Sequence, residues 1–173
     1  QEKATRLLGY SSIGQIGLVM AIIGLTPYLG NKAGNIAFGI LLTHVLAKAG
    51  LFWLAGIIKS ENIKDWSVIR RNPHVLVLMG TCVFALIGFP PFPSFFAKWD
   101  LIMQLANNHG IVWLSFILLG SFIEGIYMFR WFGYAVKAEN KDLHEFKIQW
   151  NKMVPVALFG IGLYVFGYYY SLN

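Results

Sequence analysis

Five long apolar stretches dominate the chain, and short polar segments separate them. The stretches span residues 7–27, 34–58, 75–106, 111–134 and 153–171. A helix needs about 20 apolar residues to cross the roughly 30 Å of hydrocarbon in a bilayer. Four of the stretches therefore fit one crossing each, and the pattern predicts an all-α transmembrane helix bundle that forms a single membrane domain over residues 1–173.

The third stretch, 75–106, is too long for one simple helix and contains a strong interruption. Residues 88–93 read GFPPFP, which places three prolines in six residues. Proline removes an amide donor and disfavours helix in the residue before it. The stretch is therefore either two crossings or one crossing by a discontinuous helix that is broken near Pro90–Pro93.

The basic residues outside the apolar stretches decide between these two arrangements. If 75–106 crosses once, ten lysines and arginines lie on one side and only Lys32 on the other, whereas two crossings give six against five. Cytoplasmic loops are enriched in Lys and Arg. The single broken crossing is therefore favoured, with loops 59–74 and 135–152 on the cytoplasmic or matrix side. The ten residues are Lys3, Arg6, Lys59, Lys64, Arg70, Arg71, Lys137, Lys141, Lys147 and Lys152.

Composition supports a membrane protein and argues against several other classes. Residues are 57% hydrophobic and 13% charged, whereas soluble domains are about 25% charged. The net charge of +6 arises mainly in the loops, so we expect positive-inside loops and no nucleic acid. The single cysteine, Cys82, cannot form an intrachain disulfide or hold an iron–sulfur cluster. Glycine-rich nucleotide motifs and metal-ligand spacings are missing, so we expect no cofactor in this chain.

Ionisable residues within apolar stretches are costly, and each is therefore a functional candidate. His44 and Lys48 lie four residues apart and so project from one face of the second helix, with Thr43 beside them. Burial disfavours the charged form of a lysine and histidine titrates near neutral pH, so the pair suits a proton relay. The alternative is a structural lysine that reaches water. Lys48 lies about 16 Å from the polar end of its helix, which opposes that alternative.

A second group of ionisable residues lies beyond the proline break. Lys98 follows the break, where unpaired backbone groups can hold water or an ion. Alternatively, Lys98 is an interfacial anchor with Asp100 as its local partner. Glu124 lies in the middle of the fourth stretch with Ser121 one turn earlier, and it either pairs with Lys98 or carries protons. The candidate proton pathway is thus His44, Lys48, Lys98 and Glu124, supported by Thr43, Asp100 and Ser121.

Three segments resemble motifs of one family, the antiporter-like membrane subunits of respiratory complex I (NADH-quinone oxidoreductase), Mrp-type Na⁺/H⁺ antiporters and membrane-bound hydrogenases. Residues 1–17, QEKATRLLGYSSIGQIG, are similar to the KR-LLAYSSI-Q-G helix opening of that family. Residues 43–52, THVLAKAGLF, resemble its THAFFKALLF, and residues 88–99, GFPPFPSFFAKW, resemble its GIPPFSGFFSKW. The motifs stand in family order within the first hundred residues.

The resemblance implies inverted repeats of five helices, each with one broken helix, and a central row of ionisable residues joined by water. On that pattern His44 and Lys48 match mid-membrane residues, and Lys98 matches a lysine at the end of the proton path. The resemblance implies a proton-translocating subunit in a bacterial or archaeal cell membrane or the mitochondrial inner membrane, with redox chemistry in other subunits. The alternatives are a multisubunit Na⁺/H⁺ antiporter and a structural subunit with a vestigial channel.

The sequence also departs from the family pattern. Thr5 stands where the family has a lysine, Ser94 replaces a common glycine, and Glu124 falls where relatives carry a small or hydroxyl residue. The chain resembles only the C-terminal part of a much longer subunit. Because it begins at Gln1, we expect it to be processed, split or a fragment. The expected partners are other membrane subunits, a chain that supplies the missing repeat, and the lipid bilayer.

Overall fold

The computed structural model describes residues 1–137 and 150–172, and these form an all-helical bundle. Two 3₁₀ segments, Gly30–Lys32 and Ile63–Arg71, join longer helices. Across these two ranges there is no β-strand, and the only strand-like pairing is an isolated bridge between Lys3 and Asn62. The predicted fold class is confirmed. The helices are α1 (Ala4–Gly24), α2 (Thr26–Leu29), α3 (Ala33–Ile58), α4 (Pro73–Ile87), α5 (Pro93–Asn107), α6 (Ile111–Val136) and α7 (Trp150–Leu172).

Helix length separates the complete crossings from the partial ones. Four segments are long and apolar enough to span a membrane: α1, α2 together with α3, α6 and α7. In contrast, α4 and α5 have 15 residues each. Such a helix is about 22 Å long, which is shorter than a hydrocarbon core of about 30 Å. The two short helices complete a crossing only together.

Contacts along α3 show that α4 and α5 form one interrupted crossing. As residue numbers increase along α4, α5 and the residue after α5, the numbers of the contacted residues in the α2–α3 segment decrease. The two short helices therefore run in the same direction, antiparallel to α3, as the sequence predicted for a single discontinuous helix. The contacting pairs are Gly50 with Cys82, Thr43 with Ser94, Gly39 with Ala97, and Tyr28 with Asn108.

Hydrogen bonds between α3, α4 and α5 satisfy backbone groups at the break. Gly88 ends α4 with a φ of 93°, a conformation that favours glycine. The hydroxyl of Thr43 in α3 accepts a hydrogen bond from the Ser94 amide at 3.0 Å. The Ser94 hydroxyl in turn donates to the Ala85 carbonyl at 2.6 Å. Thr43 and Ser94 thus join α3, α4 and α5 at the point where helical hydrogen bonds are missing.

α7 covers the break from another side. Gly167 lies against the carbonyl of Pro91, and a Cβ at this position would overlap it. The ring of Phe92 packs against that of Tyr164 with 5.2 Å between centroids. The position of the break therefore depends on the absence of a side chain at residue 167.

The basic residues gather at one end of the bundle. The Ala4 amide donates to the Glu61 carbonyl at 2.7 Å, and Trp53 donates to the Lys152 carbonyl at 2.8 Å. The start of α1, the segment after α3 and the start of α7 therefore meet at this end, which we call the basic end. Lys32 lies at the other end. Lys141 and Lys147 of the predicted loop 135–152 lie outside the described residues. The described members are Lys3, Arg6, Lys59, Lys64, Arg70, Arg71, Lys137 and Lys152.

Candidate ion pathway at the helix break

Lys98 occupies the second turn of α5, directly after the break. Its side chain is 10% exposed, and its Nζ donates to the carbonyl of Ile87 at 3.1 Å. Ile87 is the last residue of α4, and carbonyls at a helix end lack an intrahelical partner. The break therefore supplies an acceptor for the buried ammonium group.

Glu124 of α6 meets Lys98 within the bundle. Its Oε2 lies 3.5 Å from Lys98 Nζ, and its side chain is 8% exposed. Gln15 Nε2 donates to Oε2 at 2.5 Å, and Ser11 Oγ donates to Oε1 at 3.3 Å. One ammonium group and two neutral donors thus surround the carboxylate. Together they offset the cost of burying a charge.

Lys48 of α3 reaches α1. It donates to the carbonyl of Leu8, and the residue is 4% exposed. Glu124 forms its ion pair with Lys98 and also acts electrostatically on Lys48. His44 lies one turn before Lys48 on the same helix face. It is 9% exposed, and its Nδ1 has no hydrogen-bond partner within 1–137 and 150–172.

The three supporting candidates lie in different places. Thr43 bonds Ser94 at the break, and half-buried Ser121 lines a cleft beside Glu124. Asp100 lies apart from this cluster, because its carboxylate pairs with Lys32 at 3.3 Å. The alternative in which Asp100 is the partner of Lys98 is therefore wrong in this structure. The physical reason is that residues two apart on a helix do not face each other.

Two polar residues of this cluster, Ser11 and Gln15, were not among the residues predicted for the site. The prediction started from ionisable side chains and added only polar residues near them in the sequence. A signal was nevertheless present, since Gln15 is the only Asn or Gln within residues 7–27. An amide in hydrocarbon needs a hydrogen-bond partner. A lone amide in such a stretch therefore indicates a polar contact inside the bundle.

A cleft opens between α1 and α6 beside Glu124. Its volume is about 460 Å³, and glycines at positions 14, 17 and 120 form part of its wall. Ser121, Gln15 and Tyr127 contribute polar atoms to the same cleft. The cleft therefore connects the Glu124 carboxylate with the surface between α1 and α6.

The chemistry of the cluster is that of groups that can exchange protons. Two ammonium groups, one carboxylate and one imidazole lie in the interior, and hydroxyl, amide and carbonyl groups contact them. Buried ionisable groups of this kind are typical of proton relays in membrane proteins. Among the residues described, no three His, Cys, Asp or Glu side chains are grouped as a metal site would require.

Comparison with known proteins gives the family. The model of the family described as NADH:quinone oxidoreductase/Mrp antiporter, transmembrane, matches residues 1–124. NADH-quinone oxidoreductase subunit N of Desulforudis audaxviator is 27% identical over 191 residues, which cover 96% of this chain and 36% of that protein. Subunit N 2 of a Hydrogenobaculum species is 27% identical over 177 residues, with coverages of 96% and 37%. The chain thus spans about a third of the length of these curated relatives.

A subunit L is also similar. NADH-quinone oxidoreductase subunit L of Mycobacterium tuberculosis strain H37Rv is 34% identical over 137 residues, which cover 72% of this chain and 20% of that protein. The family match includes α1, α3, the break, Lys98 and Glu124. It agrees with the resemblance found in the motifs. The chain is a multi-pass membrane protein that belongs to the NADH:quinone oxidoreductase/Mrp antiporter transmembrane family.

Proposed function

We propose that this chain is part of a proton-translocating membrane subunit of a redox-driven complex similar to NADH:quinone oxidoreductase. Protons move along His44, Lys48, Glu124 and Lys98, and electron transfer takes place in other subunits. The names of the relatives, NADH-quinone oxidoreductase subunits N and L, support this proposal. Because the chain spans only about a third of the subunit N relatives, the activity of the whole protein and its partner subunits are also part of the proposal.

The buried Lys98–Glu124 pair at the helix break is the observation that carries the proposal. Both side chains are at most 10% exposed. Replacing a buried ion pair by apolar residues is often neutral or stabilising, so stability alone does not account for this pair. A charge pair within a span is by default a functional candidate. Lys48, which is also buried and on which Glu124 acts electrostatically, gives a proton a further group to reach.

Coupling between these groups is electrostatic in the proposed mechanism. Burial disfavours every charged group in the interior, so the protonation of each group depends on its neighbours. A charge that arrives near His44 or Lys48 changes the protonation equilibrium of Glu124 and, through Glu124, that of Lys98. Such groups titrate as a coupled set rather than one by one. A redox event elsewhere in the complex could therefore drive proton movement without a cofactor in this chain.

The orientation of the chain belongs to the same proposal. We assign the basic end to the cytoplasmic or matrix side of the membrane, because Lys and Arg are enriched there. Six described lysines and arginines of the predicted loops meet at this end together with Lys3 and Arg6 of the N-terminal segment, and Lys32 lies at the other end. This grouping supports the assignment of loop 59–74 and of the described parts of loop 135–152 to one side.

Replacing Lys98 tests the function. In Lys98→Ala we expect proton transfer through this subunit to be largely lost while the complex still assembles, because Glu124 keeps its bonds to Gln15 and Ser11. Lys32→Ala is the matched control, since Lys32 is in a half-exposed pair and is expected to pump normally. Proton uptake by proteoliposomes that contain the purified complex measures both. Normal pumping by assembled Lys98→Ala complexes would refute the proposal.

The family description also includes Mrp antiporters, which gives a second candidate function. In that case the chain exchanges Na⁺ for H⁺ and has no redox partner. Purification of the intact complex distinguishes the two functions. Flavin and iron–sulfur subunits support the redox-driven pump, whereas a set of membrane subunits alone supports the antiporter.

A further inference from the structure

One face of α1 contacts both buried lysine sites. The Leu8 carbonyl accepts a hydrogen bond from Lys48. Ser11 and Gln15, on the following turns, donate to the Glu124 carboxylate that pairs with Lys98. Residues three or four apart lie on the same side of a helix. A single line of backbone and side-chain groups on α1 therefore links Lys48 to the Glu124–Lys98 pair.

Gln15 and Ser11 are the polar members of the buried face of α1, which otherwise presents apolar side chains such as Leu8 and Val19. They are 6% and 3% exposed, whereas their neighbours Ile13 and Ile16 are 71% and 50% exposed. A buried amide without a partner is costly. Gln15 lies 2.5 Å from Glu124 Oε2, while Lys98 Nζ lies 3.5 Å from the same atom. α1 therefore supplies a donor to each oxygen of the carboxylate, in addition to the lysine of α5.

We propose that Gln15 and Ser11 are positioning residues that hold the Glu124 carboxylate against Lys98, on the same face of α1 that Lys48 contacts, so that Glu124 passes protons from Lys48 to Lys98. The inference rests on the proposed function and deepens it. Before the transfer, the Lys98 ammonium has released its proton to water at the end of the pathway and is a neutral amine. In the first step a proton moves from the Lys48 ammonium, by way of water because the two side chains are not in contact, to a Glu124 oxygen, which produces a neutral Lys48 amine and a carboxylic acid. In the second step the acid gives the proton to a neutral Lys98 amine, which restores the carboxylate.

A purely structural role is the competing explanation, since polar side chains often join helices without taking part in transport. The two explanations differ in pH dependence. The titratable groups near Glu124 are Lys98 of α5, Lys48 of α3 and Tyr127 of α6, and Tyr10 of α1 lines the same cleft. A structural Gln15 affects the amount of intact complex. A positioning Gln15 affects how readily Glu124 takes up a proton.

The main test compares pH profiles of proton transfer by the full complex in proteoliposomes. Gln15→Leu removes the amide donor, and the carboxylate then takes up a proton more readily. A lost hydrogen bond to a charged group corresponds to about a tenfold change. We therefore expect the fall of the rate towards acid to begin at a higher pH than in the unaltered complex, with a rate about tenfold lower on that acidic side. Gln104→Leu, the same change in α5, is the control and is expected to keep the normal profile.

A second comparison uses two serines in different helices. The Ser11 hydroxyl contacts Glu124, whereas the Ser115 hydroxyl donates to the Ile111 carbonyl in its own helix at 2.9 Å. Ser11→Ala is expected to shift the profile in the same direction by a smaller amount, and Ser115→Ala to leave it unchanged. This pair keeps the inference testable if Gln15→Leu fails to assemble. Equal effects of the two serine variants contradict the inference.

A double variant shows whether Gln15 acts through Glu124. In Glu124→Ser the carboxylate is absent, and we expect the addition of Gln15→Leu to have no further effect on the remaining rate. The inference is overturned if Gln15→Leu lowers the rate by the same factor at every pH and does so equally in the presence and absence of Glu124. Normal pumping by Lys98→Ala would instead overturn the proposed function, so the two failures are distinguishable.

Discussion

Two ion pairs of this protein differ more in environment than in geometry. Lys3 and Glu61 meet at the basic end at 2.7 Å, with side chains 50% and 69% exposed. Lys98 and Glu124 meet inside the bundle at 3.5 Å, with side chains 10% and 8% exposed. Water and salt screen the exposed pair. Removing one member of the buried pair leaves the other as a buried charge that only neutral groups contact.

The N–O distance of an ion pair in this protein therefore does not indicate how strongly stability and function depend on that pair. The shorter pair joins the N-terminal segment to the residues after α3, where water can replace either partner. The longer pair lies where α4 ends and α5 begins, and its ammonium group also depends on the Ile87 carbonyl. Removing either side chain of the buried pair should therefore have larger consequences than removing Glu61.

The largest expected effect comes from removing Glu124. Glu124→Ala leaves Lys98 without its carboxylate partner, and the loss of one partner of a buried pair costs about 3–5 kcal/mol. We expect a clearly lower melting temperature of the purified complex. Replacing both residues with leucine should restore much of the stability but not proton transfer. Glu61→Ala is the exposed control. If it lowers the melting temperature as much as Glu124→Ala does, the contrast between the pairs is wrong.

The next prediction concerns the geometry of the break rather than its charges. In Gly167→Ala the added methyl group meets the Pro91 carbonyl, and overpacking costs about 1–3 kcal/mol. We expect slower proton transfer and lower thermal stability although both lysines remain. Gly120→Ala is the control, because no atom lies within 4 Å of a Cβ there. A normal Gly167→Ala complex would show that α7 does not constrain the break.

A smaller effect is expected at Thr43. Thr43→Val keeps the shape of the side chain but removes the acceptor for the Ser94 amide, and a buried unpaired donor costs about 1–3 kcal/mol. We expect a modest decrease in melting temperature and faster hydrogen exchange of the first turn of α5. Thr26→Val, an exposed position that donates to the Ile23 carbonyl, serves as the control. Unchanged exchange at Ser94 contradicts the prediction.

The smallest effect is expected at the exposed pair. A hydrogen bond from Lys3, together with its charge, lowers the pKa of Glu61 below its ordinary value of 4.5. A lowered carboxylate pKa means that the pair contributes above pH 4.5 and is lost as the pH falls through the lowered pKa. Carbon-13 NMR of Glu61 should show a midpoint below 4.5 that rises in Lys3→Gln. High salt should reduce the difference in the Glu61 midpoint between the unaltered protein and Lys3→Gln. A midpoint unaffected by Lys3→Gln would show that the pair does not form in solution.

The sequence by itself determined the helices, the break and the grouping of charges. Apolar length predicts crossings because hydrocarbon has a definite thickness. The prolines of 88–93 predict the interruption because each acts on its own backbone and on the residue before it. Local spacing also placed His44 and Lys48 on one face of α3. These are properties of residues close together in the chain, which a sequence pattern can carry.

Only the tertiary structure decided which side chains meet. Lys98 pairs with Glu124 and not with Asp100, Lys48 bonds the Leu8 carbonyl, and Gln15 joins the cluster although it carries no charge. These contacts join residues on different helices, so they depend on how the helices rotate and pack against one another. A buried polar group must find a partner in the folded bundle, but nothing in its own stretch of sequence specifies which one.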